Sequence, residues 1–358
     1  MKKILSVILC AVILSTCFAC GGKVGDKNVT LSAEQDSPYF GSYYLENPDG
    51  IPKDAVNMIQ DEKYQYGINI VTPTTGTRAL TGNLDYEVKA RFLGDDKPGG
   101  EAWEYLNRTR FWSIAQWTSK GDIGAESNRT LTKNGNNYIY ENDYKKIIVN
   151  PTDGILTLRA NAGKEYDYAE RPESMREKGE WTHLLIEQYT NARYYNLECV
   201  KDAYVYLDFS LDEVRNYNVS AAFAEGQKAQ LVWYFALNLA GYKPTWFGIP
   251  LYDSSEANSM VKGEVYTHDP GMDYPLYAMA QDEIFDSQIQ VGTRYKKAVR
   301  ITDFLKYCFT LGLKRGVYDE NAKFEECTFW NMNLGFEIPG TFDAQVTFYR
   351  IGLYYVFK

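Results

Sequence analysis

The stretch Trp181-Thr182-His183-Leu184-Leu185-Ile186-Glu187-Gln188 reads as one extended strand. If Leu184 and Ile186 face a core, then Trp181, His183, Leu185 and Glu187 share the opposite side, because neighbouring side chains of a strand point to opposite faces. Two other stretches have the same form. In Tyr204-Val205-Tyr206-Leu207-Asp208-Phe209, the residues Val205, Leu207 and Phe209 are expected inside, with Tyr204, Tyr206 and Asp208 facing away. In Trp330-Asn331-Met332-Asn333-Leu334-Gly335-Phe336-Glu337, Trp330, Met332, Leu334 and Phe336 are expected inside, with Asn331, Asn333 and Glu337 outside.

Further short alternating runs lie at 86–92, 111–117, 155–160, 230–239, 247–251 and 344–357, each bounded by Gly, Asn, Asp or Pro. That spacing predicts an all-β fold, an antiparallel β-sandwich of the jelly-roll kind, rather than alternating strand and helix units. One accessory helix is predicted over 302–315, where Phe304, Leu305, Cys308 and Phe309 keep helical spacing between the capping residues Thr302 and Asp303 and the stop Gly316. A second short helical turn is predicted over 211–216.

The composition fits such a fold. Of 358 residues, 45% are apolar and 24% charged, enough for a sizeable core in water. A net charge of −9 argues against nucleic acid as a partner, since no basic stripe is available to release counterions from a phosphate backbone. Two His leave little imidazole chemistry, and 30 Tyr make the aromatic content unusual. The acidic group Asp253, Asp269, Asp273, Asp282 and Asp286 lacks EF-hand spacing, so no metal is assigned. No phosphate-cradling loop, dinucleotide fingerprint or Gly-x-Ser-x-Gly elbow occurs, and no cofactor is expected. Cys199, Cys308 and Cys327 show no CxxC spacing and are expected as buried free thiols, with a 308–327 pair as the alternative.

Sugar rings present apolar C–H faces and rows of hydroxyls, which suit flat aromatic platforms beside planar amides and carboxylates. The outward sets supply both. Trp181, Tyr204 and Tyr206 are the candidate platforms, and His183, Glu187, Asp208, Asn331, Asn333 and Glu337 the candidate hydrogen-bonding groups. Catalytic residues are not assigned, although Glu187 and Glu337 meeting across a sheet would make a carboxylate pair, with His183 beside them. A Glu-x-Asp-x-x-Glu strand is absent, and Gln116-Trp117-Thr118 has no imidazole where a lyase strand would carry one.

At the amino end, Lys2 and Lys3 precede an apolar run from Ile4 to Leu14, then Ala19-Cys20-Gly21-Gly22. This is the order of a secretory signal over 1–19 and resembles a bacterial lipoprotein signal with Cys20 as the acylated first residue, Cys17 or ordinary secretion being the alternatives, and the run is too short to span a bilayer. A tether and irregular lead-in over 20–79 and a sandwich over 80–358 complete the expected organisation. The stretches Phe111–Trp117, 159–171 leading into Glu180–Glu187, and Asn333–Val346 resemble a concanavalin-like or galactose-binding-like jelly roll of Bacteroidetes-type surface lipoproteins. That resemblance implies a carbohydrate-binding module, or a polysaccharide lyase or glycanase, within a surface glycan-utilisation system. The expectation is a lipid-anchored, non-catalytic protein of the bacterial outer membrane or cell surface that binds a poly- or oligosaccharide, touching the membrane through its anchor only. A periplasmic or secreted location is the alternative. A polysaccharide-cleaving enzyme, and a structural lipoprotein with an envelope protein partner, are the alternative functions.

Overall fold

The computed structural model describes residues 46–71, 80–84, 110–125, 129–169, 181–218, 226–256, 260, 267–269 and 274–358. The expected signal, the lipidation site Cys20 and the run 86–92 lie outside the described residues.

The first strands are β1 (Val56–Asn57), β2 (Ile68–Val71), β3 (Leu80–Leu84), β4 (Trp112–Ala115), β5 (Thr130–Asn134), β6 (Asn137–Glu141), β7 (Lys145–Asn150) and β8 (Ile155–Asn161). After the short helix α1 (Ala162–Glu165) come β9 (Thr182–Gln188), β10 (Val200–Asn216), β11 (Gln230–Asn238), β12 (Thr245–Asp253), β13 (Thr267–Asp269), β14 (Tyr274–Ala278) and β15 (Arg294–Arg300). Helix α2 (Thr302–Lys314), β16 (Thr328–Ile338) and β17 (Phe342–Phe357) close the chain. They form two sheets, an eight-stranded one ordered β15-β10-β17-β8-β7-β6-β5 with β1 on β17, and a nine-stranded one ordered β13-β14-β12-β11-β16-β9-β4-β2-β3. The expected all-β jelly-roll sandwich with one or two short helices is what forms.

The core lies between the sheets and takes the alternate residues of each strand. Phe235, Phe247 and Phe329 pack together with ring centroids 5.1 to 5.9 Å apart, and Phe329 reaches Tyr355 of the opposite sheet at 6.0 Å. Helix α2 buries Leu305, Cys308 and Phe309 against this core. Its N-cap is Ile301 rather than Thr302, whose hydroxyl instead accepts the Ala203 N–H at 2.8 Å.

Several local expectations change. Residues 211–216 are not helical but continue β10 against β17, where a register shift between Leu211 and Glu213 breaks the alternation and made the segment look unlike a strand. Trp330 is not a core residue: a register shift in β16 opposite Phe235 and Leu237 puts Phe329 and Met332 inside and leaves Trp330 40% exposed. Strands also begin before residue 80, since Val56–Asn57 pairs with β17 and Ile68–Val71 pairs with β3 and β4. Cys199 is disulfide-bonded, while Cys308 and Cys327 are buried, free and therefore unpaired with each other.

Gly335 sets how closely β16 approaches β9. Its φ is +151°, and an added Cβ would lie 2.4 Å from the Leu184 carbonyl oxygen and 2.7 Å from Leu185 Cα, both backbone atoms. Such a conformation is open to glycine and costs other residues on the order of 1–3 kcal/mol. Gly335→Ala should therefore lower the unfolding free energy measured by urea denaturation by at least that amount, whereas Gly135→Ala, at a turn with nothing within 4 Å, should cost less.

Candidate active site

The site is built by register. Antiparallel pairing of β9 with β16 sets Glu337 opposite His183, Gly335 opposite Leu185 and Asn333 opposite Glu187. On the next strand Gln230 stands opposite Glu337 and Tyr234 opposite Asn333, and beyond it Asp253 stands opposite Gln230. On the other side, Ser113 pairs with Glu187 and Asn69 with Ser113. Two polar lines therefore cross the face of the nine-stranded sheet turned away from the core: His183, Glu337, Gln230, Asp253, and Asn69, Ser113, Glu187, Asn333, Tyr234. Between them Ala115, Leu185 and Val232 form a small apolar cluster with Trp117 and Tyr234 packed on it.

This face is outward in topology yet largely covered. His183 is 6%, Glu187 6%, Asn333 3% and Asp253 5% exposed. Buried polar atoms normally find partners, and leaving one without costs roughly 1–3 kcal/mol. Here Asn331 Oδ1, Asn333 Oδ1 and the indole N–H groups of Trp181 and Trp246 are buried without a hydrogen-bond partner among the described residues. Acceptors and donors held unsatisfied beside aromatic rings suit a ligand rich in hydroxyls.

His183 is clamped. Its ring stacks on Trp181 at 5.5 Å and meets Trp117 edge-on at 6.0 Å. Nδ1 lies 3.0 Å from the Trp181 carbonyl oxygen and 3.2 Å from the Thr118 hydroxyl, which fix the orientation of the ring. Ser119 holds the strand at this point, accepting the His183 N–H at 2.8 Å and donating to the His183 carbonyl at 3.1 Å.

A buried polar plug fixes the loop that carries Trp117 and Ser119. Inward-facing Lys145 and Glu165, both with fully buried side chains, lie 3.8 Å apart, and Lys145 also donates to Gln116 Oε1 at 3.2 Å and to the Gly121 carbonyl. Glu165 accepts from the Lys120 and Gly121 amides and from Thr182 Oγ1 at 3.1 Å. Burial pushes the Lys145 ammonium pKa down, opposed by the nearby Glu165 and Asp122 carboxylates. Gln116 is thus a structural residue of the plug, donating to the Val71 carbonyl at 3.0 Å and accepting from the Ile123 amide at 3.2 Å.

At the other end of the line Asp253 is held by Gln230 Nε2 at 2.8 Å, by the Ser255 N–H and hydroxyl at 2.9 and 2.6 Å, and by Lys228 Nζ at 3.1 Å.

Of the expected residues, Trp181, His183, Glu187, Asn331, Asn333 and Glu337 belong to β9, β16 or the residue flanking them. Tyr204, Tyr206 and Asp208 do not join them: their alternation is as expected, but β10 belongs to the other sheet. Tyr206 packs with Ile51, Ala55, Tyr354 and Val356, Tyr204 lies against that cluster, and Asp208 accepts from both Arg294 Nε and Nη2 at 2.6 and 2.8 Å. Nor do Glu187 and Glu337 meet, because four residues of register separate them, about 13 Å along the strands. Sequence reasoning missed Trp117, Gln230, Tyr234, Trp246 and Asp253. The alternation of 230–239 already turned Gln230 and Tyr234 to the face opposite Leu231 and Trp233.

No protein-family model matches the chain, and no curated protein matches it. Among solved structures it is similar to a family 12 xyloglucanase from Bacillus licheniformis, at TM-score 0.37 and 12% identity over 67% of this chain and 98% of that one. It is similar also to the endoglucanase cel12A from Rhodothermus marinus, at TM-score 0.34 and 10% identity over 63% and 93%. A third is the xyloglucanase domain of NopAA from Sinorhizobium fredii, at TM-score 0.33 and 9% identity over 64% and 96%. These values give no residue correspondence. The expectation of a non-catalytic glycan-binding groove is corrected here: Tyr204, Tyr206 and Asp208 belong to the other sheet, so the common groove of nine side chains does not form, and the solved structures found are named as glycan-cleaving enzymes rather than binding modules.

Removing Lys145 alone would strand Glu165 as a buried charge, a loss typically worth about 3–5 kcal/mol. Lys145→Met should therefore destabilise the protein by about that much in chemical denaturation, and the Lys145→Met/Glu165→Met double variant should recover part of the loss.

Proposed function

We propose that the protein hydrolyses a neutral polysaccharide on this face, with Glu337 donating the proton to the departing glycosidic oxygen. The observation that carries the reading is the register line His183, Glu337, Gln230, Asp253. It sets one carboxyl group between an imidazole and an amide, beside the Trp117 and Trp181 indoles on which a sugar ring can stack.

Glycoside hydrolysis uses two carboxyl groups, about 5–5.5 Å apart when one attacks the sugar directly and about 6.5–9.5 Å apart when a water lies between. The strand beside Glu337 offers Gln230, whose amide cannot ionise. The next carboxylate in line is Asp253, two strands away, about 10 Å between Cα positions at ordinary strand spacing. This favours a water activated by Asp253 and inversion at the anomeric carbon. Of the donors on Asp253, the Lys228 ammonium is partly exposed and is the one such a water can displace. Neutral rather than uronate sugars are favoured because the charged side chains described on the two lines, Glu187, Glu337 and Asp253, are acidic. The leader read from the sequence would put this activity outside the cytoplasm, tethered at Cys20.

Incubation with a panel of neutral polysaccharides, xyloglucan among them, should release new reducing ends, and proton NMR of fresh product should show the inverted anomer. Glu337→Gln and Asp253→Asn should each lower the rate on the order of 10²–10⁴-fold while leaving the fold intact. Absence of reducing ends from every glycan would overturn the reading, as would a Glu337→Gln variant as active as the parent.

A further inference from the structure

We infer that Tyr189 and Trp330 form a second sugar-binding platform at the far end of the same face, occupied by a polysaccharide chain that also crosses Glu337. The identity of the ligand rests on the hydrolase reading above. The platform itself rests on separate observations.

The outward parity of β9, through His183, Leu185 and Glu187, continues to Tyr189, which is 42% exposed. On the neighbouring strand the register shift in β16 turns Trp330 out of the core, 40% exposed. The two rings lie 5.9 Å apart at 57°, so they present an open corner rather than covering each other's faces. Single exposed aromatics are ordinary, but a contacting pair on one patch marks an interaction site. The Arg193 guanidinium lies 5.9 Å from the Tyr189 ring centroid and 4.7 Å from that of Tyr194, and it donates to the Tyr194 hydroxyl at 2.6 Å, so the patch is held in shape before any ligand arrives. The chain neighbour of Trp330 adds a polar group: Asn331 Oδ1 is buried and lacks a hydrogen-bond partner among the described residues.

Flat rings, a guanidinium and an unsatisfied amide oxygen beside them match the C–H faces and hydroxyls of a sugar. Continuity with the candidate active site selects the same polymer. Six residues of strand separate His183 from Tyr189, about 20 Å, so a ligand touching both ends must be several rings long. A short oligosaccharide bound at Glu337 would not reach Trp330. The platform would then act on polymer affinity and leave bond cleavage on short substrates alone.

The test uses the full chain with Trp330→Ala, Tyr189→Ala and the conservative Trp330→Phe. Retardation by the cleaved polysaccharide in affinity electrophoresis, and KM for that polymer, should each weaken about threefold to tenfold in both alanine variants, with kcat on a short soluble oligosaccharide unchanged and Trp330→Phe restoring most of the affinity. Equal losses on polymer and short substrate, or no change on the polymer, would overturn the inference while the hydrolase reading stands. If the parent cleaves nothing, that reading fails, and retardation by an unhydrolysed polysaccharide still decides the platform: sensitivity to Trp330→Ala supports it, and insensitivity ends it.

Discussion

The site depends on the close approach of β16 to β9 at Gly335. Two backbones meet there with no room for a Cβ, and that contact locks the register by which Glu337 faces His183 and Asn333 faces Glu187. A slip of one residue would send every polar side chain of β16 into the core and every apolar one out. The chemistry of the face is thus a consequence of strand pairing in the middle of the sheet, reinforced on the far side by the Phe235, Phe247 and Phe329 packing.

Around that frame the chain places polar groups where they are costly. The Lys145 and Glu165 pair could be replaced by apolar residues without loss of core, yet through Gln116, Gly121 and Thr182 it fixes the loop that brings Trp117 and Ser119 against His183. Unsatisfied Asn and Trp groups on the face are a second departure from what stability alone would select. Local violations of packing rules concentrated on one surface are the pattern expected where binding or catalysis is served.

Much of this was legible in the strands with clean alternation. Thr182–Gln188 has the bounds and the facing expected from its pattern, and Leu184 and Ile186 lie in the core as read. What failed did so at irregularities. Trp330 and the segment 211–216 sit at register shifts, which move a side chain to the other face without leaving a mark on the hydrophobic period. Alternation also says which residues share a face of one strand and nothing about which strands are neighbours. Tyr204, Tyr206 and Asp208 therefore share the alternation of the site strands yet belong to the other sheet, and Gln230 and Asp253 line up with Glu337 through pairings that alternation does not encode.

On the proposed reading a glycan lies across the line of His183, Glu337, Gln230 and Asp253. A crystal structure of the Glu337→Gln protein soaked with a long neutral oligosaccharide tests it most directly. Sugar rings should stack beside Trp117 and Trp181, with a glycosidic oxygen within hydrogen-bonding distance of residue 337. Sugar bound instead against Tyr206 on the eight-stranded sheet, or a site that stays empty at saturating ligand, would contradict it.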